Sequence, residues 1–166
     1  TLMPFMTDFF VESLDNSFID TVPPSFTWQP GQLEIPVIIS SDFHELYNIF
    51  APGYGLPQIS EETALRISLQ FICYFPNGDR DVFRGHIVAF SDRVNSILVP
   101  NSFLTWANQR YSPGQQTRAS RLYIKTHDAN NADFLRYLDS KNYRINKDKT
   151  SFGRTKMVLQ GIFGGL

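Results

Sequence analysis

Two stretches of this chain line up without a gap, and that duplication limits the folds open to it. Ile38-Ile39-Ser40-Ser41-Asp42-Phe43-His44-Glu45-Leu46-Tyr47-Asn48 matches Leu98-Val99-Pro100-Asn101-Ser102-Phe103-Leu104-Thr105-Trp106-Ala107-Asn108. Each reads as an apolar strand, a short polar break and a helix carrying aromatic and aliphatic residues. Ser41 or Asp42, and Asn101 or Ser102, are the expected N-caps, since their side-chain oxygens can accept free amide protons of the first turn. Asn48 and Asn108 suit left-handed C-caps. A repeated strand-to-helix corner predicts a pseudo-symmetric scaffold rather than an active site.

A second pattern supplies the sheet. Leu65, Ile67, Leu69, Phe71, Cys73 and Phe75 are apolar at every second position, which predicts a half-buried strand. Pro76-Asn77-Gly78-Asp79 is a turn, and Val82–Phe90 returns as the partner. Leu33–Ser40 and Ser96–Val99 are further strands, with Pro36 marking an edge or a strand start. Asp42–Phe50 and Ser102–Arg110 are the helices of the two corners, and Ala51–Ser60 is a loop broken by proline and glycine. Residues 7–30 hold one short element around Asp8–Leu14 and a proline-stiffened stretch. Arg121–Thr126, Ala132–Ser140 and Tyr143–Asn146 read as a C-terminal βαβ-like unit. The expectation is an α+β domain, a mixed or antiparallel sheet with helices packed on one side.

Composition excludes several classes of function. Hydrophobic residues make up 42% of the 166 and charged residues 19%, so the chain can build a core and is not a disordered tail. A net charge of -1 lacks the basic footprint that nucleic acid requires. The charge is nevertheless polarised. Asp8, Glu12, Asp15, Asp20, Glu34, Asp42, Glu45, Glu61 and Glu62 fall within residues 1–65, which hold no Lys or Arg, whereas residues 118–156 are strongly basic. Cys73 is the single cysteine, so no internal disulfide forms.

Candidate chemical groups are scattered. His44, His86 and His127 have no metal-ligand spacing. Ser40-Ser41-Asp42 beside His44 lacks the strained Gly-x-Ser-x-Gly corner of a hydrolase. Glu61-Glu62 reads as a solvated helix start, and Asp128–Asp133 as a helix N-terminus rich in capping groups rather than a calcium loop. No catalytic, metal or cofactor site is assigned. Recognition falls instead to the loop carrying Tyr54, Leu56 and Pro57, with Trp106 as a further anchor whose default role is core packing.

The C-terminal run through Met157, Leu159, Ile162, Phe163 and Leu166 is apolar and rich in glycine. We read residues 151–166 as a membrane-proximal segment leading into a transmembrane helix beyond the chain, with residues 1–150 forming one extracytoplasmic domain.

A family resemblance rests on Ile35-Pro36-Val37-Ile38-Ile39-Ser40, Leu46-Tyr47-Asn48, Gly55-Leu56-Pro57-Gln58-Ile59-Ser60, the run Phe83–Ser91, Asn95–Pro100, Phe103–Asn108, Ser120–Ile124 and Lys141–Asn146. Over about residues 33–160 the chain resembles the extracytoplasmic core domain of MacB/FtsX-type ABC-transporter permeases, in their Bacteroidetes-like form. The resemblance implies a domain held in the periplasm by a permease of the bacterial inner membrane. It implies no enzymatic activity and no cofactor in this chain, with ATP hydrolysed by a separate subunit or domain. The implied partners are the cognate ATPase, a second permease copy or paralogue, and a periplasmic cargo or effector that receives the ATP-driven movement. A free-standing module gripping a peptide or glycan through Ala51–Ser60 is the alternative.

Overall fold

The computed structural model describes residues 11–115 and 121–144, which fall in two compact units, one up to Arg118 and one from Ala119. The first carries a mixed five-stranded sheet in the order β1-β5-β2-β4-β3. Its strands are β1 (Val11–Glu12), β2 (Glu34–Ser40), β3 (Ser68–Tyr74), β4 (Arg80–Ser91) and β5 (Ile97–Leu98). Helix α1 (Ser41–Phe50) follows β2, the single turn α2 (Glu61–Ala64) precedes β3, and α3 (Asn101–Tyr111) follows β5. The α+β class and the mixed sheet agree with the alternation in the sequence.

The central strands β2 and β4 are parallel, β3 returns antiparallel on β4, and β5 runs antiparallel to β2. Pro36 lies inside the sheet rather than on an edge strand. It is tolerated because β5 reaches β2 only at Ile38 and Ile39, so the ladder on that side has already ended.

The two faces of the sheet are covered differently. On one face Ile35, Val37, Phe83, Ile87, Ile97 and Val99 meet Phe103, Ala107 and Tyr111 of α3, with Trp28 buried among them. On the other, Ile38, Ala89, Leu98 and Val94 are covered by Ile19, with Leu14, Val22 and Phe26 around it. Ile87 and Ala89 are two residues apart, which ordinarily places both side chains on one face. A register shift between Val37 and Ile38 puts Val88 opposite no residue of β2 and reverses the alternation beyond it. The bulge lets one strand supply both cores.

The N-terminal stretch is tied down by polar contacts as well. Asp20 accepts hydrogen bonds from the Ser91 hydroxyl and from the Asp92 amide (3.1 Å), at the end of β4. Burial alone would raise the Asp20 pKa, but these hydrogen bonds and the nearby Arg93 charge outweigh it and hold the carboxyl below its usual range. Glu12 likewise accepts from the buried Ser96 hydroxyl.

Three local expectations change. The helix N-caps fall one residue early, at Ser40, whose hydroxyl accepts from the Asp42 amide (3.3 Å), and at Pro100, which offers no side-chain cap. Asn48 and Asn108 are not C-caps, because α1 runs on to Phe50 and α3 to Tyr111. Leu65 and Ile67 leave the alternating strand, since Ser60 caps the short α2 and the chain turns before Ser68.

The second unit contributes α4 (Ala132–Ser140), matching the predicted helix. Asn131 caps it by accepting from the Asp133 and Phe134 amides, both at 3.0 Å. Lys141 and Tyr143 amides close it on Tyr137 and Leu138 carbonyls, with Asn142 at φ 56 making the left-handed turn. Among the described residues Arg121–Thr126 form no strand, nor do Tyr143 and Arg144, and Ile145 and Asn146 lie outside them. Of the βαβ-like unit, the described residues therefore show the helix alone. Alternation over so short a run is a weak signal when no neighbouring strand is supplied.

Candidate interaction surface

Helix α1 is the element that organises the loop Ala51–Ser60. His44, Tyr47 and Asn48 lie three and four residues apart, so they share one helical face. That face holds the loop that follows the helix. Asn48 accepts from the Ile59 amide (2.8 Å) through Oδ1 and donates to the Ile59 carbonyl (2.9 Å) through Nδ2. His44 Nε2 lies 2.7 Å from the same carbonyl. A carbonyl only accepts, so this nitrogen carries the proton, and its 3.1 Å approach to Asn48 Nδ2 is packing rather than a hydrogen bond. The Tyr47 hydroxyl donates to the Pro57 carbonyl (3.1 Å), and Gln58 returns a bond to the Asn48 carbonyl (2.8 Å).

Between helix and clamp the chain makes one 3-10 turn over Ala51–Tyr54. Gly55 closes it at φ 71, a left-handed conformation that glycine adopts without strain. The turn pushes Tyr54 outward, where it is 72% exposed, while Leu56 is half-buried and Pro57 exposed. The three loop residues singled out from the sequence are thus held in a defined conformation.

Trp106 is placed elsewhere. On α3 it packs in a cluster of rings with Trp28 (5.0 Å between centroids), Phe83 (5.8 Å) and Tyr111 (5.7 Å), and the Arg110 guanidinium lies over it. Its packing role is therefore visible. The residues Met157, Leu159, Ile162, Phe163 and Leu166 lie outside those described.

The larger part of the surface was not singled out from the sequence. Leu46, Ile49 and Phe50 repeat at i, i+3 and i+4 on α1, a spacing that ordinarily marks a core stripe. All three are exposed, beside the exposed Tyr54. Burying what remains exposed of each in a partner would contribute on the order of 1–1.5 kcal/mol, about half the value for a fully exposed side chain. The neighbouring charges on α1 and α2 are Asp42, Glu45, Glu61 and Glu62, and Arg66 pairs with Glu62 at 2.7 Å.

The other polar candidates serve the fold. Glu61 and Glu62 open α2, Asp128 accepts from the Asn130 amide (2.9 Å) in the turn before α4, and Ser40 is buried as a cap. His86 borders an open cleft of about 400 Å³ with Ser25, Thr27, Gln32 and Glu34, and its Nδ1 has no hydrogen-bond partner among the described residues. No described residues group three or more His, Cys, Asp or Glu as a metal site, and no described helix is long and apolar enough to cross a membrane.

A family model described as a probable transporter periplasmic core domain matches residues 1–148. No curated protein and no solved structure matches the chain.

Proposed function

The chain belongs to the family of probable transporter periplasmic core domains, and from that premise we propose that it is the periplasmic part of an ABC-transporter permease subunit. In this reading it hydrolyses nothing. It passes an ATP-driven movement, generated by a cognate ATPase on the cytoplasmic side of the inner membrane, to a cargo or effector protein in the periplasm. A second permease copy or paralogue completes the assembly.

The family match over residues 1–148 carries this reading, and the geometry supports it. A domain that transmits movement must turn as a body rather than deform. The first unit has a buried core on each face of its sheet, and the loop after α1 is clamped to that helix by side-chain bonds. The effector contact is the surface of Leu46, Ile49, Phe50 and Tyr54, extended by Leu56 and Pro57. The residues that could have suggested hydrolysis are otherwise engaged, His44 with Ile59 and Ser40 with the start of α1.

The encoded membrane protein, assembled with its ATPase in lipid nanodiscs, tests the proposal. Spin labels at Leu46 and Arg80 report motion within the domain, and a label at Leu46 paired with one in the membrane part of the permease reports motion of the domain as a body. ATP binding is expected to change the distance from the domain to the membrane part and leave the distance within the domain unchanged. A native product without membrane segments, or distances indifferent to nucleotide, would overturn it.

A further inference from the structure

Natural sheets guard their edges with lysine, proline, bulges or very short strands, because an open edge pairs with whatever strand meets it. Strand β3 has none of these. It ends the sheet, runs seven residues in unbroken register with β4, and among the described residues pairs with β4 alone. From Ile67 to Phe75 the sequence contains no charged residue and no proline.

The direction of its free groups follows from one hydrogen bond. The Phe75 amide donates to the Asp79 carbonyl at 2.8 Å, which makes Phe75 a residue bonded toward the β4 side. Antiparallel ladders alternate, so Cys73, Phe71 and Leu69 bond the same way. The amides and carbonyls of Ser68, Gln70, Ile72 and Tyr74 therefore face the open edge. The side chains are unfinished too. Ile72 is 41% exposed, and Leu69, Phe71 and Cys73 are half-buried at the margin of the core under α3.

We propose that β3 docks antiparallel on β3 of a second copy, about a two-fold axis at Phe71, joining two sheets into one. Centred there, Gln70 bonds to Ile72 of the second copy and Ser68 to Tyr74, giving about eight hydrogen bonds. Phe71 meets Phe71 and Leu69 meets Cys73 in the close, non-bonded positions, so the inner row stays apolar throughout. A centre at Cys73 would oppose Gln70 with Pro76, which has no amide to give, and a centre at Leu69 would oppose Ile72 with the charged Arg66. No register sets like charges against each other along the pairing. A second copy fits better than a foreign strand because the sequence is complementary to itself about Phe71. The two-fold also closes the assembly, since both free edges are consumed. The pairing rests on β3 and not on the transport reading.

The full chain tests this directly. Leu69→Cys sets a thiol opposite Cys73 of the second copy, whereas the two positions in one chain lie about 13 Å apart along the strand and cannot join. Mild oxidation at micromolar protein is expected to give a covalent dimer with Leu69→Cys and none with the native chain or with Ile72→Cys, which has the wrong parity. Gln70→Pro removes an edge amide without touching the β4 ladder. Sedimentation equilibrium should show a native dimer and association at least ~10-fold weaker in Gln70→Pro, in line with the loss of two edge hydrogen bonds, one from each copy. Association unchanged by Gln70→Pro, cross-linking that ignores parity, or a native monomer at every concentration tested would each overturn the proposal. So would a monomer whose Gln70 and Ile72 amides resist hydrogen exchange, since another segment would then cover the edge.

Discussion

Ile38 and Leu98, which hold the same place in the two matching stretches of sequence, face each other across antiparallel strands β2 and β5. Ile39, the next residue of the first stretch, pairs with Ile97, the residue before Leu98. The duplicated corners are thus related by a pseudo-two-fold through the Ile38–Leu98 pair, roughly normal to the sheet. That geometry sends both helices to one face, and it brings Phe43 of α1 and Phe103 of α3 onto the same core. One sequence pattern used twice yields two helices on one side and leaves the other side to the N-terminal stretch.

Both members of that pair are fully buried in the second core. Ile38→Ala and Leu98→Ala should each lower stability by about 2–5 kcal/mol. The double variant should lose less than the two effects added, because adjacent residues share one cavity. Urea unfolding of the four proteins measures the coupling.

Gly85 is a position where a single methyl group decides packing. A Cβ there would overlap the Phe71 ring and stand 3.3 Å from Leu69 Cβ. The ring lies across the strand because Phe71 belongs to the half-buried inner row of β3, beside Gly85 on β4. Gly85→Ala should therefore destabilise by about 1–3 kcal/mol, seen as a lower urea midpoint with an unchanged slope.

What the sequence disclosed, and what it withheld, divides along physical lines. Period-two alternation placed β3 and β4, and the duplicated corners placed β2–α1 and β5–α3, because those signals are local and set by one buried face. Trp28 sat in a stretch read as irregular, yet it is buried against Phe103 and Trp106 and donates to the Gln32 carbonyl (3.2 Å). Its role depends on a helix some seventy residues later, seen in the Ser102 hydroxyl bound to its carbonyl across |i−j| of 74. No local pattern contains such a contact. The stretch Ala51–Ser60 was legible as a loop, but the exposed stripe on α1 was not. Leu46, Ile49 and Phe50 have a core spacing, and only the position of α1 at the rim leaves that stripe uncovered. Asn48 read as a cap because it stood near a helix end, whereas its work is to bind Ile59 eleven residues on.

Asn48 supplies the sharpest test of that clamp. Its amide satisfies both backbone groups of Ile59, which no other side chain can do from α1. Asn48→Ala should cost about 1–2 kcal/mol and should raise hydrogen exchange at the Ile59 amide while leaving β2 protected. Asn48→Asp keeps the acceptor and loses the donor, so the Ile59 amide should remain slower to exchange than in Asn48→Ala. Equal exchange in all three proteins would mean that the loop is held by something else.

Tyr111 closes the opposite end of the first core and gives the fold an alkaline limit. Its hydroxyl donates to Asp81 Oδ2 (2.7 Å), and Arg110 approaches the same oxygen at 3.4 Å. Burial, reinforced by the Asp81 hydrogen bond, pushes the Tyr111 pKa from 10.0 up to about 12. The folded state thus holds this proton more tightly than the unfolded chain. The associated stability is complete below pH 10.0, where Tyr111 is protonated in both states, and it is lost as pH rises toward about 12. Melting temperature should fall across that interval. Tyr111→Phe should lower it modestly at neutral pH, by the value of one hydrogen bond of about 0.5–1.5 kcal/mol, and should flatten the alkaline slope. An ultraviolet titration should likewise lose one late-ionising tyrosine in the variant. A slope identical in both proteins would place the alkaline sensitivity in other groups.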